Sequence, residues 1–280
     1  RVSGTALRNP DFAALAREQD LEIDRSATDN TGETFGEQRG ARVFARIDAG
    51  GIEHELAYSA YSTDREDPDG FTTQFEGDRR ELSYLGTTEL GVATLSFGAV
   101  WSEESFRTDS LTGEESGEDE TVSALGEAVW RPGAAVDLAL SLRYDESDDF
   151  GGETTGRLAL AWQATPETTV RAVAGTGFRA PSLFERFSAF GDPDLEVERS
   201  RSLEFGVERR FGTESFLKAT AFYTEIDNLI EFDPAATACG SGFGCYGQVE
   251  GTTTTRGLEL SGRHGVADGR AALFGAYTFT

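Results

Sequence analysis

The sequence predicts an all-β protein, an antiparallel transmembrane β-barrel segment of about twelve or thirteen strands, and three features of the chain lead there. Apolar and polar side chains alternate with a period of two in segment after segment, as in strands whose two faces meet different surroundings. The connections between these segments are short and long by strict turns, which a soluble sandwich does not require and an outer-membrane barrel does. The strands run to about ten residues or more, long for a globular sheet and suited to a tilted crossing of a bilayer. No apolar run is long enough for a spanning helix, and a hydrophobic content of 38% with mean hydropathy −0.39 is compatible with strands that face lipid on one side only.

Along the chain, residues 2–7 read as the end of a further strand. Asn9 then caps a brief helical turn with Pro10 at its first position and Phe12, Leu15 and Ala16 on one side. Strands follow at 39–48, 52–63, 72–86, 91–102, 121–130, 136–145, 155–164, 168–177, 199–210, 215–226, 253–263 and 270–280. The alternation is clearest where Val136, Leu138, Leu140, Leu142 and Tyr144 oppose Asp137, Ala139, Ser141 and Arg143, and next where Leu158, Leu160 and Trp162 oppose Arg157, Ala159, Ala161 and Gln163. It weakens in 121–130 and 168–178, where Ala and Gly blur the faces. Short turns such as Ala49-Gly50-Gly51 and Thr165-Pro166-Glu167 mark one end of the strands. Long loops at about 9–38, 64–71, 103–120, 146–154, 178–200 and 227–252 mark the other. Tyr58, Tyr61, Tyr84, Trp101, Trp130, Tyr144 and Trp162 fall near strand ends, as an interfacial aromatic girdle requires.

Charge narrows the function. With 50 acidic against 25 basic residues the net charge is −25 and the pI near 4.4, so no basic face exists for nucleic acid. Roughly half of the acids fall in the long loops, which places the charge at one end of the barrel as a solvated surface. Asp145, Asp148 and Asp149 form an acidic run able to offer oxygens to calcium, and a second run spans Glu114 to Glu120; neither follows an EF-hand. Solvated acids also need no ligand. His54 and His264 have no Ser or Cys motif beside them, and acid pairs arise by chance among so many carboxylates, so no catalytic residue and no enzyme is predicted. Gly175-x-Gly177-x-x-Ala180 has dinucleotide-fingerprint spacing, but Pro181 follows at once and no βαβ unit surrounds it. Cys239 and Cys245 allow one local disulfide, suited to an oxidising compartment. Ser182 with Glu185 forms a capping box. Phe184, Phe187, Phe190 and Tyr246 are the aromatic candidates for ligand contact at the rim, with packing inside the loops as the competing role.

The stretch Gly175-Thr-Gly-Phe-Arg-Ala-Pro-Ser-Leu-Phe-Glu-Arg-Phe187, followed by Gly191-Asp-Pro-Asp-Leu-Glu-Val-Glu-Arg-Ser200, resembles the late-barrel signature of TonB-dependent outer-membrane receptors. Ala219 to Asp233 and Thr255-Arg-Gly-Leu-Glu-Leu260 resemble the next two segments in family order, and Tyr144 to Gly151 is similar to a segment of the family's vitamin B12 receptors. The run after Pro193 departs from the family pattern, with Glu196, Val197 and Glu198 where lysine, proline and glutamate are usual. The resemblance implies a barrel of about 22 strands, of which this chain, starting at Arg1 without Met or signal peptide, is an internal piece of one domain lacking the plug and TonB box. It implies residence in the Gram-negative outer membrane among its lipids, coupling to TonB through the missing N-terminal region, and uptake of a large scarce nutrient. Cobalamin is the first expectation and a ferric siderophore the alternative; either could stack on the rim aromatics, and loops of the family's B12 receptors bind calcium. A passive porin-like channel and a soluble β-rich binding domain are the remaining readings.

Overall fold

The computed structural model describes residues 33–239, 242–266 and 270–280; the strand and helical turn predicted before residue 17 lie outside them. The strands are β1 (Phe35–Ala49), β2 (Ile52–Glu66), β3 (Thr72–Leu90), β4 (Ala93–Ser110), β5 (Gly113–Gly133), β6 (Val136–Ser147), β7 (Gly151–Thr165), β8 (Thr168–Arg179), β9 (Glu198–Phe211), β10 (Ser215–Asp227), β11 (Ile230–Asp233), β12 (Cys245–Gln248), β13 (Thr252–Val266) and β14 (Ala271–Phe279). A helix, α1 (Leu183–Phe187), lies between β8 and β9. β1 to β10, β13 and β14 form a 12-stranded antiparallel sheet in chain order, and β11–β12 is a separate hairpin. The sheet is open, with β1 and β14 at its edges.

Period-two sequence becomes two unlike faces through the register. On one face Tyr58, Leu82, Trp101 and Val122 stand opposite one another in a row across β2 to β5. Leu140 stands between Ala128 and Leu158, and Phe205 between Ala172 and Ala221. Leu142 is 56% exposed, Leu203 57% and Phe205 54%. Lipid covers such a band at little cost and water does not. Charge begins on this face beyond the band, with Arg80 opposite Glu103 and Arg201 opposite Glu225. The other face is polar: Arg79 opposes Glu104, Glu127 opposes Ser141, and Lys218 opposes Glu208. Tyr61 opposes Arg79 and so belongs to the polar face; the other aromatics predicted for the girdle, Tyr58, Tyr84, Trp101, Trp130, Tyr144 and Trp162, lie on the apolar one.

The short turns fall close to where predicted, except that residues 87–90, expected to turn, extend β3, and the chain turns at Gly91 and Val92 instead. Gly50 and Gly51 close β1–β2 with φ of 61° and 79°, two successive left-handed residues that a type I′ hairpin demands and glycine adopts without strain. Three of the predicted long loops are much shorter. Residues 103–110 and 113–120 continue the β4–β5 ladder around a turn at Leu111 and Thr112, and the loops expected at 64–71 and 146–154 shrink to residues 67–71 and 148–150. Of the long loops within the described residues, only those between β8 and β9 and between β10 and β13 remain long. Phe106, Leu195, Val197, Ile230 and Cys245, all but one of the buried apolar residues among those described, belong to this outer end.

Candidate functional site

The β8–β9 loop turns back over the polar face. Ser182 Oγ accepts from the Glu185 N–H at 3.2 Å and the Glu185 carboxylate accepts from the Ser182 N–H at 2.7 Å, completing the capping box that starts α1. Arg179, the last residue of β8, also donates to Glu185, at 2.8 Å, and so ties the helix start to the strand end. α1 then sets Phe184 against Phe75 and Phe106, with ring centroids 6.4 Å away in each case. Phe187 lies over Gly117, where an added Cβ would come within 2.6 Å of its ring. The helix therefore docks on β3 to β5, and the polar face of the sheet is the covered, inner one.

The β10–β13 connection closes over the same place. Cys239 and Cys245 are joined by a disulfide with a Cα–Cα distance of 5.8 Å. The Tyr246 N–H donates to the Phe190 carbonyl at 2.8 Å. Gln248 Nε2 donates to the carbonyls of Glu196 and Asn228, both at 2.9 Å. Glu198 accepts from Arg179 and from the Ile230 N–H, each at 2.7 Å. The Arg179 guanidinium and the Ile230 N–H hold the Glu198 carboxyl below its ordinary range, while burial pushes the Tyr246 phenol up and keeps it neutral.

The four aromatic candidates are brought together, yet largely against each other and the wall. Phe184 meets Phe190 at 6.5 Å and Tyr246 at 6.3 Å, and Phe187 packs instead beneath the Arg186 guanidinium at 4.7 Å. Phe190 also meets Phe71 at 4.9 Å and Phe232 at 6.0 Å, and Phe232 meets Tyr246 at 5.3 Å. Sequence reasoning missed Phe71, Phe75, Phe106 and Phe232. The signal for Phe75 was a phenylalanine on the polar side of a two-faced strand, whereas Phe106 lay in the stretch read as a loop.

The calcium candidates are not brought together. Asp145 is 2% exposed, accepts from Ser123 Oγ at 2.6 Å and pairs with Arg143 at 2.7 Å. Asp149 pairs with Arg186 at 2.6 Å, and Asp148 donates its backbone N–H to the Glu120 carbonyl at 3.1 Å. Among the described residues no three His, Cys, Asp or Glu side chains converge as a metal site would require. The arrangement is a polar lumen wall capped by an aromatic lid whose two loops are hydrogen-bonded to each other.

Known proteins share this fold. Residues 4–280 match the family model described as TonB dependent receptor-like, beta-barrel. The vitamin B12 transporter BtuB of Vibrio cholerae is 28% identical over 173 residues, covering 61% of this chain and 26% of that protein. BtuB of Photobacterium profundum is 36% identical over 105 residues, covering 36% of this chain and 17% of that protein. The crystal structure of the siderophore receptor PirA from Pseudomonas aeruginosa superposes with a TM-score of 0.73 at 17% identity, over 88% of this chain and 48% of that one. The chain thus spans about half of the solved receptor and about a quarter of the Vibrio relative. With its two-faced strands, one-ended long loops and family match over nearly its whole length, the chain belongs to the TonB-dependent receptor β-barrel family, a family of transport receptors and not of enzymes.

Proposed function

We propose that this chain forms the wall and outer vestibule of an active transporter in the Gram-negative outer membrane, which takes up cobalamin with energy delivered by TonB through a segment outside the chain. The observation that carries the reading is the lid: two loops joined to each other fold inward over a polar lumen whose outer surface is an uncharged apolar band. Sequence likeness to vitamin B12 transporters supports cobalamin. Uptake of a ferric siderophore is the second reading; the superposition on a siderophore receptor shares the fold and does not choose between the two. Titrating the full-length receptor with cyanocobalamin and with ferric siderophores, followed by tryptophan quenching or calorimetry, tests the choice. Saturable micromolar cobalamin binding is expected, and its absence ends the cobalamin reading. Extraction of the receptor from isolated membranes without detergent would end the barrel reading itself.

A further inference from the structure

Five arginines stand at the outer end of the inner wall or on the lid among the described residues, and what they touch limits the charge a ligand can bring. Arg79 on β3 is closed by Glu104 of β4 and by Glu81 at 3.1 Å. Arg143 holds Asp145 at 2.7 Å, and Arg186 holds Asp149 at 2.6 Å. Arg179 holds Glu185 at 2.8 Å and Glu198 at 2.7 Å. Arg65 lies over the Phe75 ring, 5.7 Å from its centre. Further carboxylates of the same wall are met by hydroxyls: Asp119 by Thr121 at 2.9 Å and Ser147 at 2.5 Å, and Glu115 by Thr108 at 3.0 Å.

From the pairing of four of these five we infer that the vestibule selects an uncharged or cationic nutrient and turns away a polyanionic one, such as a ferric tris-catecholate chelate. An arginine fork already holding a carboxylate offers nothing to a second anion unless the charge-assisted pair breaks. Breaking it leaves the carboxylate facing the incoming anion in a cleft where charges are screened less than in bulk water. An uncharged ligand meets no such barrier and finds hydroxyls, carbonyls and ring faces. The inference rests on the uptake function proposed above and narrows its substrate class.

The test reads the local field without needing the ligand. Ser102 lies on the inner wall of β4 opposite Glu81 and Thr121. In the full-length receptor, Ser102→Cys is treated with cationic and with anionic methanethiosulfonate reagents, each normalised to its rate with a free thiol. The two cysteines among the described residues are joined to each other and do not compete. The cationic reagent is expected to react faster by about tenfold, with the difference collapsing in about 1 M salt, where the screening length is about 3 Å. Adding Glu104→Gln, which leaves Arg79 with Glu81 alone, should narrow the ratio. Faster or equal reaction of the anionic reagent overturns the inference, and Ser83→Cys on the same wall repeats the comparison should the first variant fail to assemble. Ligand binding separates the two ideas. Failure of cobalamin to bind, with the charge bias intact, removes cobalamin and leaves the selectivity standing, whereas tight binding of a ferric tris-catecholate overturns the selectivity whatever cobalamin does.

Discussion

Glu198 is the residue at which a strand end and both lid loops meet. Its carboxylate receives Arg179 from β8 and the Ile230 N–H from the start of β11, so neutralising it loosens two connections at once. Glu198→Gln keeps the size and one acceptor but loses the charge, and should weaken lid closure by about 1–3 kcal/mol. The pH dependence has a definite sign. Because the folded carboxyl titrates below its ordinary value, its contribution is complete above about pH 4.3 and is lost as the pH falls through the lower folded value. Hydrogen exchange at Ile230 and Tyr246 in the full-length receptor should show that acid step in the wild type and not in Glu198→Gln; the same step in both would assign it to another group. The sequence announced only part of this arrangement. Ser182 and Glu185 were legible because a capping box is local, whereas Glu198 finds its second donor 32 residues onward, at a spacing no local pattern marks.

At the scale of elements, the β4–β5 hairpin shows why three predicted loops became strands. Its tip is so acidic that it reads as a solvated loop, and Glu103 indeed stands opposite Glu120, and Glu104 opposite Asp119, pairings that repel. The neighbouring strand resolves the conflict, since Arg79 meets Glu104 and Arg80 lies 3.7 Å from Glu103. Exposed pairs of this kind are individually worth less than about 1 kcal/mol, but here they offset repulsion along a ladder whose backbone bonds are already in place. The same hairpin receives α1, and Gly117 is the key to that contact. Gly117→Val suits a strand better than glycine does, yet its side chain would enter the space of Phe187 and Phe106. The hairpin should therefore persist while α1 undocks, at a cost of about 1–3 kcal/mol from overpacking. Limited proteolysis between residues 180 and 198 should become faster in this variant with the heat-modifiable barrel unchanged, and unaltered cleavage would show that α1 does not depend on the contact.

For the whole molecule, the period-two pattern was legible because each strand obeys the same boundary condition, lipid on one side and a polar lumen on the other, whatever its neighbours are. The lid was not, because its docking depends on which strands curvature brings beneath it. Adjacent residues of β6 put the two-faced reading to its sharpest test. Leu140 stands on the apolar band between Ala128 and Leu158, whereas Ser141 stands on the inner face between Glu127 and Arg157. An arginine on the lipid side near the bilayer midplane costs about 2–4 kcal/mol, and one in the lumen costs little. Leu140→Arg in the full-length receptor should therefore lower the folded, heat-modifiable fraction in outer membranes and its resistance to denaturant. Ser141→Arg, one residue away and facing Glu127, should leave both close to wild type. If the two variants behaved alike, the faces would not be divided between lipid and lumen; if Ser141→Arg were the worse, the sheet would be inside out, and with it the placement of the lid over the polar wall would fall.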